Sequence, residues 1–447
     1  MGPGEPALRL KGNPASFPSL AAERVYLTER PLTPPRRTRF IGAVNAAIAA
    51  GRKLGLADKP VLAKEALLAR AAAYTGLDDF GDPWFEGPLD VLLQALHAEA
   101  RLNAAGEWAA RAQIEKVLHD RLWAQQWFAR HPEILARPLQ RPVIVAGPMR
   151  SGTTRLHRLL AADRRFTHLR SFETISPVPR PGFDGSGPDS RIALARRIMR
   201  VARLANPRTL TIHPTGPLDP EEELGLLVSS FWGMKHEAQW WVPSYGRWCE
   251  AQDAVPAYRQ MARLLRLIGW SQQASSLRPW ILKTPQHLLD LPALLKVFPD
   301  ARLIFTHRDP LAVVGSAASL AWNQTIIYSD KADARRIGGE SLRKTRLMLE
   351  RMAAARDAIP ADRQIDVHYE DMDRDWRGAM ARVYRFLGLD IAPARPAMLA
   401  YQRRAARLKR RPHRYSLEEF GLTPQRVLGE LGDYVRSYGV TLEGRAA

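Results

Sequence analysis

Cysteine is almost absent. The 447-residue chain carries one, Cys249, which excludes an intramolecular disulfide and any zinc site built from several thiolates, and agrees with a reducing compartment. Its place in a tryptophan-rich stretch points to an inert, packed thiol. No run of 18 apolar residues occurs, so no segment reads as a transmembrane helix. The opening residues lack the apolar stretch of a signal peptide, and Pro6 stands where the myristoylation pattern that begins at Gly2 wants Ser or Thr. A cytoplasmic chain without stable membrane insertion is expected. Acidic residues are the minority, 46 against 66 Lys and Arg, for a net charge of +20. That field concentrates anionic ligands, nucleotide and nucleic acid alike, although an arginine-rich background accounts for it equally well. With 46% hydrophobic and 25% charged residues the chain is not disordered throughout. Its length suits one large domain with an extension, or two domains.

Along the chain, residues 1–36 are rich in Pro and Gly and read as an irregular lead-in. Helical periodicity follows over 41–54, 59–75, 89–103 and 108–130, broken at Gly76, at 81–88 and at 104–106. These segments predict an all-helical extension, residues 1–137, packed as core or cap, ahead of an α/β domain, residues 138–447. Within that domain strands are expected at 142–146, 167–170, 280–282, 302–306 and 365–369, with helices between them. The Pro/Gly-rich stretch 176–190 predicts a mobile lid. Asp219 and Pro220 predict a helix start with Glu221, Glu222 and Glu223 in its first turn. Trp270 is expected in the core; Trp232, Trp240, Trp241 and Trp248 fit core or an acceptor pocket equally.

The most informative stretch is 141–160, RPVIVAGPMRSGTTRLHRLL. A β-branched run leads into Gly147 and Gly152, four residues apart, and then into a helix with Leu156, Leu159 and Leu160 on one face. Strand, tight loop and helix N-terminus make a phosphate cradle of inward-facing amides. The lysine that reaches β- and γ-phosphates in nucleotide triphosphatases is missing; Thr153 and Thr154 follow Gly152, and the nearest cation is Arg150. PMRSGTT resembles the 5′-phosphosulfate loop of the sulfotransferases that use 3′-phosphoadenosine-5′-phosphosulfate (PAPS). A second block agrees: LKTPQHL delivers Lys283 and His287, and HRDPLAVVGSAASL is similar to the family's 3′-phosphate motif, with Arg308 and Ser316 eight residues apart and Ser319 behind. HRD also opens a kinase signature, but Val314 stands where that signature needs Asn.

The chain therefore resembles the bacterial branch of the PAPS-dependent sulfotransferases, over roughly 138–447. The resemblance implies an α/β, P-loop NTPase-like parallel sheet flanked by helices, with PAPS as co-substrate, adenosine 3′,5′-bisphosphate (PAP) as product and no metal. It implies that Arg150, Ser151, Gly152, Thr153 and Thr154 hold the 5′-phosphosulfate with Lys283, and that Arg308 and Ser316 hold the 3′-phosphate. Arg411 or Arg414, in the basic C-terminal segment, would clamp the same phosphate. The base that takes the acceptor proton is expected at Glu222 or Glu223, then at His287, with His213 third. Acceptors span a hydroxyl or amine on a small molecule, lipid or saccharide, and an oligomer is compatible with the chain. Two other readings are a small-molecule or nucleoside kinase, weakened by the missing lysine, and a non-catalytic basic protein on nucleic acid, which leaves both motifs unexplained.

Overall fold

The computed structural model describes residues 25–27, 36–185, 187–407 and 413–443. Most of the lead-in arm, and Arg411, lie outside these. The strands are β1 (Val25–Leu27), β2 (Val143–Ala146), β3 (Thr167–His168), β4 (Trp280–Lys283), β5 (Arg302–His307), β6 (Gln364–His368) and β7 (His413–Tyr415). Five of them form one sheet in the order β3-β4-β2-β5-β6, every pair parallel. β1 and β7 make a separate parallel pair.

The central strand explains its own sequence. All four residues of β2 are buried, because helices cover both faces of a parallel sheet. Ile144 and Ala146 point into a core with Leu282, Leu303 and Phe305. Val143 and Val145 point the other way, onto Leu156, Leu159 and Leu160 of the following helix and onto Val383 and Tyr384. The first of these cores also takes Leu67, Leu89, Leu92, Leu118 and Leu122 of the N-terminal helices. Arg121 fastens that extension: its buried guanidinium donates to the carbonyls of Phe80, Asp82 and Ser229 at 3.1, 2.9 and 2.9 Å.

The N-terminal helices run Arg39–Lys53, Lys64–Thr75, Glu86–Ala98 and Ala104–Arg130. The third stops short of its expected end, at Ala98: Arg101 takes a φ of +46° and Leu102 bridges to Ser329, and Asn103 then caps the fourth, accepting the Gly106 amide at 2.8 Å. The helix expected from 288 is likewise split into a 3-10 turn, Pro285–Leu288, and a helix, Leu291–Val297. The first residues of the stretch expected as a mobile lid are held to the fold: Trp127 Nε1 donates to the Pro179 carbonyl at 2.9 Å, and buried Arg191 donates to the carbonyls of Ser176 and Pro177, both at 3.1 Å.

One expectation is overturned. No helix starts at Pro220. Pro220 forms a bridge with Arg170, and the Glu221 amide donates to the Leu169 carbonyl at 3.0 Å, so the acidic segment continues the pairing beyond β3 and the next helix begins only at Leu224. Successive side chains of an extended chain diverge, and Glu223 then turns into the helix with φ −75° and ψ 5°, so the three glutamates face three different partners.

The chain leaves β2 for β3 and β4 on one side and returns to β5 on the other. Such a reversal opens a crevice at the C-terminal strand ends, and the loop after β2, Lys283 of β4 and Arg308 after β5 all emerge there.

Candidate active site

Residues 147–152 join β2 to the helix Thr153–Ala161. A side chain at Gly147 would place its Cβ 1.9 Å from Thr306 Oγ1 and 2.8 Å from Ser151 Oγ, so only glycine fits against β5. Ser151 Oγ bonds to the Pro148 carbonyl at 2.8 Å and to Thr306 Oγ1 at 2.6 Å. Its hydroxyl holds the loop to the sheet. Arg150 and Gly152 have φ of +71° and +88°; alternating left-handed residues turn neighbouring amides to one side, the geometry of an anion nest. For Arg150 this backbone is strained, a cost of about 1–3 kcal/mol tolerated where the surroundings fix it. No side chain caps the helix at Thr153, which leaves its first N–H groups for a ligand.

On one flank of the loop lie Arg308, Ser316 and Arg150. Arg308 Nη1 donates to the Arg150 carbonyl at 2.8 Å, and Arg150 Nε donates to Ser316 Oγ at 3.1 Å, while its Nη1 donates to the Ile212 carbonyl at 2.9 Å. The Arg308 guanidinium lies 3.8 Å from the centre of the Tyr369 ring, which also contacts Gly152 closely enough that a Cβ there would sit 3.0 Å away. Glu443 closes this flank, accepting from Arg308 Nε and Nη2 at 2.5 and 3.0 Å. Burial acts to lower the Arg308 pKa, but the Glu443 bond outweighs it and holds the group firmly charged. Asp309 caps the next helix through the Leu311 amide and also accepts the Glu443 amide, each at 2.8 Å; burial pushes its carboxyl up to about 6.

On the other flank lie Lys283, Thr154 and the acidic segment. Lys283 Nζ pairs with Glu222 and donates to Thr154 Oγ1 at 3.3 Å. The Lys283 amide donates to Glu223 Oε2 at 2.8 Å, and the other Glu223 oxygen meets His287 Nε2. His287 Nδ1 is 2.9 Å from the Tyr258 hydroxyl. Glu223 and His287 are both fully buried, and every ring nitrogen of His287 is engaged, whereas the Glu222 side chain is 20% exposed. Glu221 pairs with His213 at 2.9 Å. The Glu221 charge raises the His213 pKa; burial alone would raise that of Glu221, but His213 overrides it and holds the carboxyl well below the usual range. His213, Glu221 and Glu222 bring three ligand atoms within 4.8 Å of one another, and the carboxylates are already engaged, Glu221 by His213 and Glu222 by Lys283.

Thus the structure brings Arg150, Ser151, Gly152, Thr153, Thr154, Lys283, Glu222, Glu223, His287, Arg308 and Ser316 around one loop. The Arg150 side chain turns toward Ser316, away from the Lys283 flank where the sequence places it. Arg414 is exposed on β7, whose neighbour Tyr415 packs on Gly315 and donates to the Ala312 carbonyl at 2.7 Å.

The profile of the sulfotransferase family matches residues 142–393, more than half of the chain. This protein is a sulfotransferase. Among solved structures, sulfotransferase STF1 from Mycobacterium tuberculosis H37Rv is 33% identical, with a TM-score of 0.74 over 84% of this chain and all of that one. Sulfotransferase STF9 from Mycobacterium avium is 25% identical, with a TM-score of 0.78 over 87% of this chain and all of that one. The omega-hydroxy-beta-dihydromenaquinone-9 sulfotransferase Stf3 of Mycobacterium bovis is 23% identical over 335 residues, 71% of this chain and 80% of its own length.

In this sulfotransferase several site residues carry no signal in the sequence. Thr306 is one, a mid-strand threonine whose hydroxyl holds Ser151. Tyr369 and Tyr258 are two more, identifiable only through the guanidinium and imidazole they touch. Glu443 lies 135 residues from Arg308 along the chain.

Proposed function

We propose that this sulfotransferase uses PAPS and transfers its sulfuryl group to a hydroxyl of a small-molecule or lipid acceptor. The observation that carries the reading is the division of cations about one phosphate loop, with Arg150, Arg308 and Ser316 on one flank and Lys283 with Thr154 on the other. An adenosine carrier with phosphates at both 3′ and 5′ positions presents anions at two ends; a nucleoside triphosphate presents them at one. In this reading Arg308, Ser316 and Arg150 take the 3′-phosphate. The amides of the loop, the Thr153 and Thr154 hydroxyls and Lys283 take the 5′-phosphosulfate, where charge develops as the leaving phosphate departs.

Glu222 is the base in this reading. It is the partly exposed carboxylate beside Lys283, whereas Glu223 and His287 are buried against each other. When Lys283 turns to the phosphosulfate, the Glu222 carboxylate is left free to take the hydroxyl proton. The acceptor oxygen forms its bond to sulfur as the bond from sulfur to the phosphate oxygen breaks, the proton passes to Glu222, and PAP leaves with the electron pair. Glu223, His287 and Tyr258 act as positioning residues that fix the Lys283 backbone.

Calorimetric titration tests the donor: PAP is expected to bind and ATP with magnesium is not, and the reverse preference would refute the reading. Arg308→Ala should weaken PAP binding by about 1.5–3 kcal/mol, the scale of a charged hydrogen bond. In single-turnover transfer, Glu222→Gln should lose about 10²-fold or more in rate; full rate would place the base elsewhere.

A further inference from the structure

The helix Ser190–Ala205 has five arginines and no acidic residue. Arg191 is buried in a pair with Asp189. Arg196, Arg197, Arg200 and Arg203 are exposed, and among the described residues none forms an ion pair. Beside them runs an apolar ridge at a spacing of three: Ile198, Val201 and Leu204, 38%, 58% and 58% exposed. Residues three apart share a helix face, so this ridge faces water rather than the core.

The end of this helix meets a second one. Thr38 Oγ1 donates to the Ala205 carbonyl at 2.7 Å, and Ile41 packs against Ala205. The helix Arg39–Lys53 thus begins beside the end of the first; it too contains no acidic residue, and it opens with Phe40, 43% exposed. The chain then passes from Ala205 to Ile212, whose carbonyl binds Arg150, and to His213. The helix is therefore joined directly to the loop and the acidic segment.

We propose that this face docks on a lipid surface bearing anionic headgroups, lying in the interface without crossing the bilayer. An apolar ridge edged by arginines on a surface helix is the pattern that such a surface binds: acyl chains receive the ridge and headgroup phosphates the guanidinium groups. A second copy of the chain is the wrong occupant, since a two-fold contact would set arginines against arginines with no carboxylate on either helix. The inference does not depend on the donor or base assignments.

The test is co-sedimentation of the full chain with vesicles of phosphatidylcholine alone or of phosphatidylcholine with phosphatidylglycerol. Binding is expected only to the anionic vesicles and should weaken with added salt. Arg197→Glu with Arg200→Glu should reduce it by about fivefold or more per arginine. Val201→Glu with Leu204→Glu should reduce it by at least about tenfold. Melting temperatures of the variants, expected unchanged, show that they fold. Failure of the parent chain to bind anionic vesicles overturns the proposal, as does equal binding by both folded variants. A dimer in light scattering that the Val201 and Leu204 changes convert to monomer overturns it in favour of self-association.

Discussion

Glu443 occupies the guanidinium that the proposed donor requires, and its removal gives a prediction with a definite sign. Arg308 donates to both Glu443 oxygens, at 2.5 and 3.0 Å. A charged hydrogen bond contributes about 1.5–3 kcal/mol when desolvated. Here the Arg308 side chain is 3% exposed but that of Glu443 is 34% exposed, so water screens the pair and about 1 kcal/mol is the reasonable scale. A phosphate that engages Arg308 must first displace this carboxylate. Glu443→Gln keeps the shape and the amide bond to Asp309 while deleting the competing charge. PAP should then bind about fivefold more tightly, the equivalent of 1 kcal/mol. Titration calorimetry on parent and variant reads the difference directly, and the gap should narrow as salt screens the parent's ion pair. Unchanged or weaker binding by the variant, with Arg308→Ala still strongly impaired, would show that Glu443 supports the site and does not compete for it.

Gly147→Ala puts a Cβ 1.9 Å from Thr306 Oγ1, and should destabilise the fold by about 1–3 kcal/mol and weaken PAP binding; adding Thr306→Ala should restore part of the melting temperature. The pair of His213 and Glu221 gives a pH dependence. His213 is raised in the fold, so its contribution is complete below its ordinary pKa of 6.5 and is lost as pH rises through the folded value. Glu221 is lowered, so its contribution is complete above 4.5 and is lost on acidification. Chemical denaturation should show the parent's advantage over His213→Gln greatest between these two pH values; a constant difference across pH would refute the coupling. Lys344 bridges Glu237 and Glu250 under the surface, and Lys344→Met should cost about 3–5 kcal/mol of stability by leaving buried carboxylates with less compensation, read by urea unfolding.

The parts of this fold visible in the sequence were those governed by local chemistry. Val143, Ile144 and Val145 are β-branched and bounded by Pro142 and Gly147, and the strand fell where that pattern put it. Lys283 and His307 end β4 and β5, and in a parallel sheet strand ends converge. The acidic segment shows where local reasoning fails. Asp-Pro-Glu-Glu-Glu carries a strong helix-start pattern, yet pairing of Pro220 and Glu221 with Leu169 and Arg170, about fifty residues earlier, keeps its start out of a helix. That one override redirects three side chains: Glu221 to His213, Glu222 to Lys283, Glu223 to His287 and the Lys283 amide. The Arg150 side chain was unreadable for a similar reason. Its left-handed backbone aims it toward Ser316, and a positive φ at an arginine has no signature in composition or periodicity.

These two surprises are connected. A triphosphatase loop places its lysine at the helix start, so cation and amides address the same end of the ligand. Here Thr153 stands at that point, and an ammonium group reaches the helix start from β4 instead: Lys283 Nζ lies 3.3 Å from Thr154 Oγ1. The loop's own cation is thereby released to the opposite flank, where Arg150 and Arg308 meet through the Arg150 carbonyl. Because Lys283 arrives on a strand that the extended acidic segment also grips, through Glu223 and the Lys283 amide, the substitution brings a carboxylate with it. The pairing reaches only as far as the Glu221 amide, and Glu223 turns, with φ −75° and ψ 5°, so Glu222 meets the Lys283 ammonium group while Glu223 meets its backbone amide. That turn sets a partly exposed carboxylate and a buried one side by side at the strand end, one against the ammonium group and one bracing the backbone behind it.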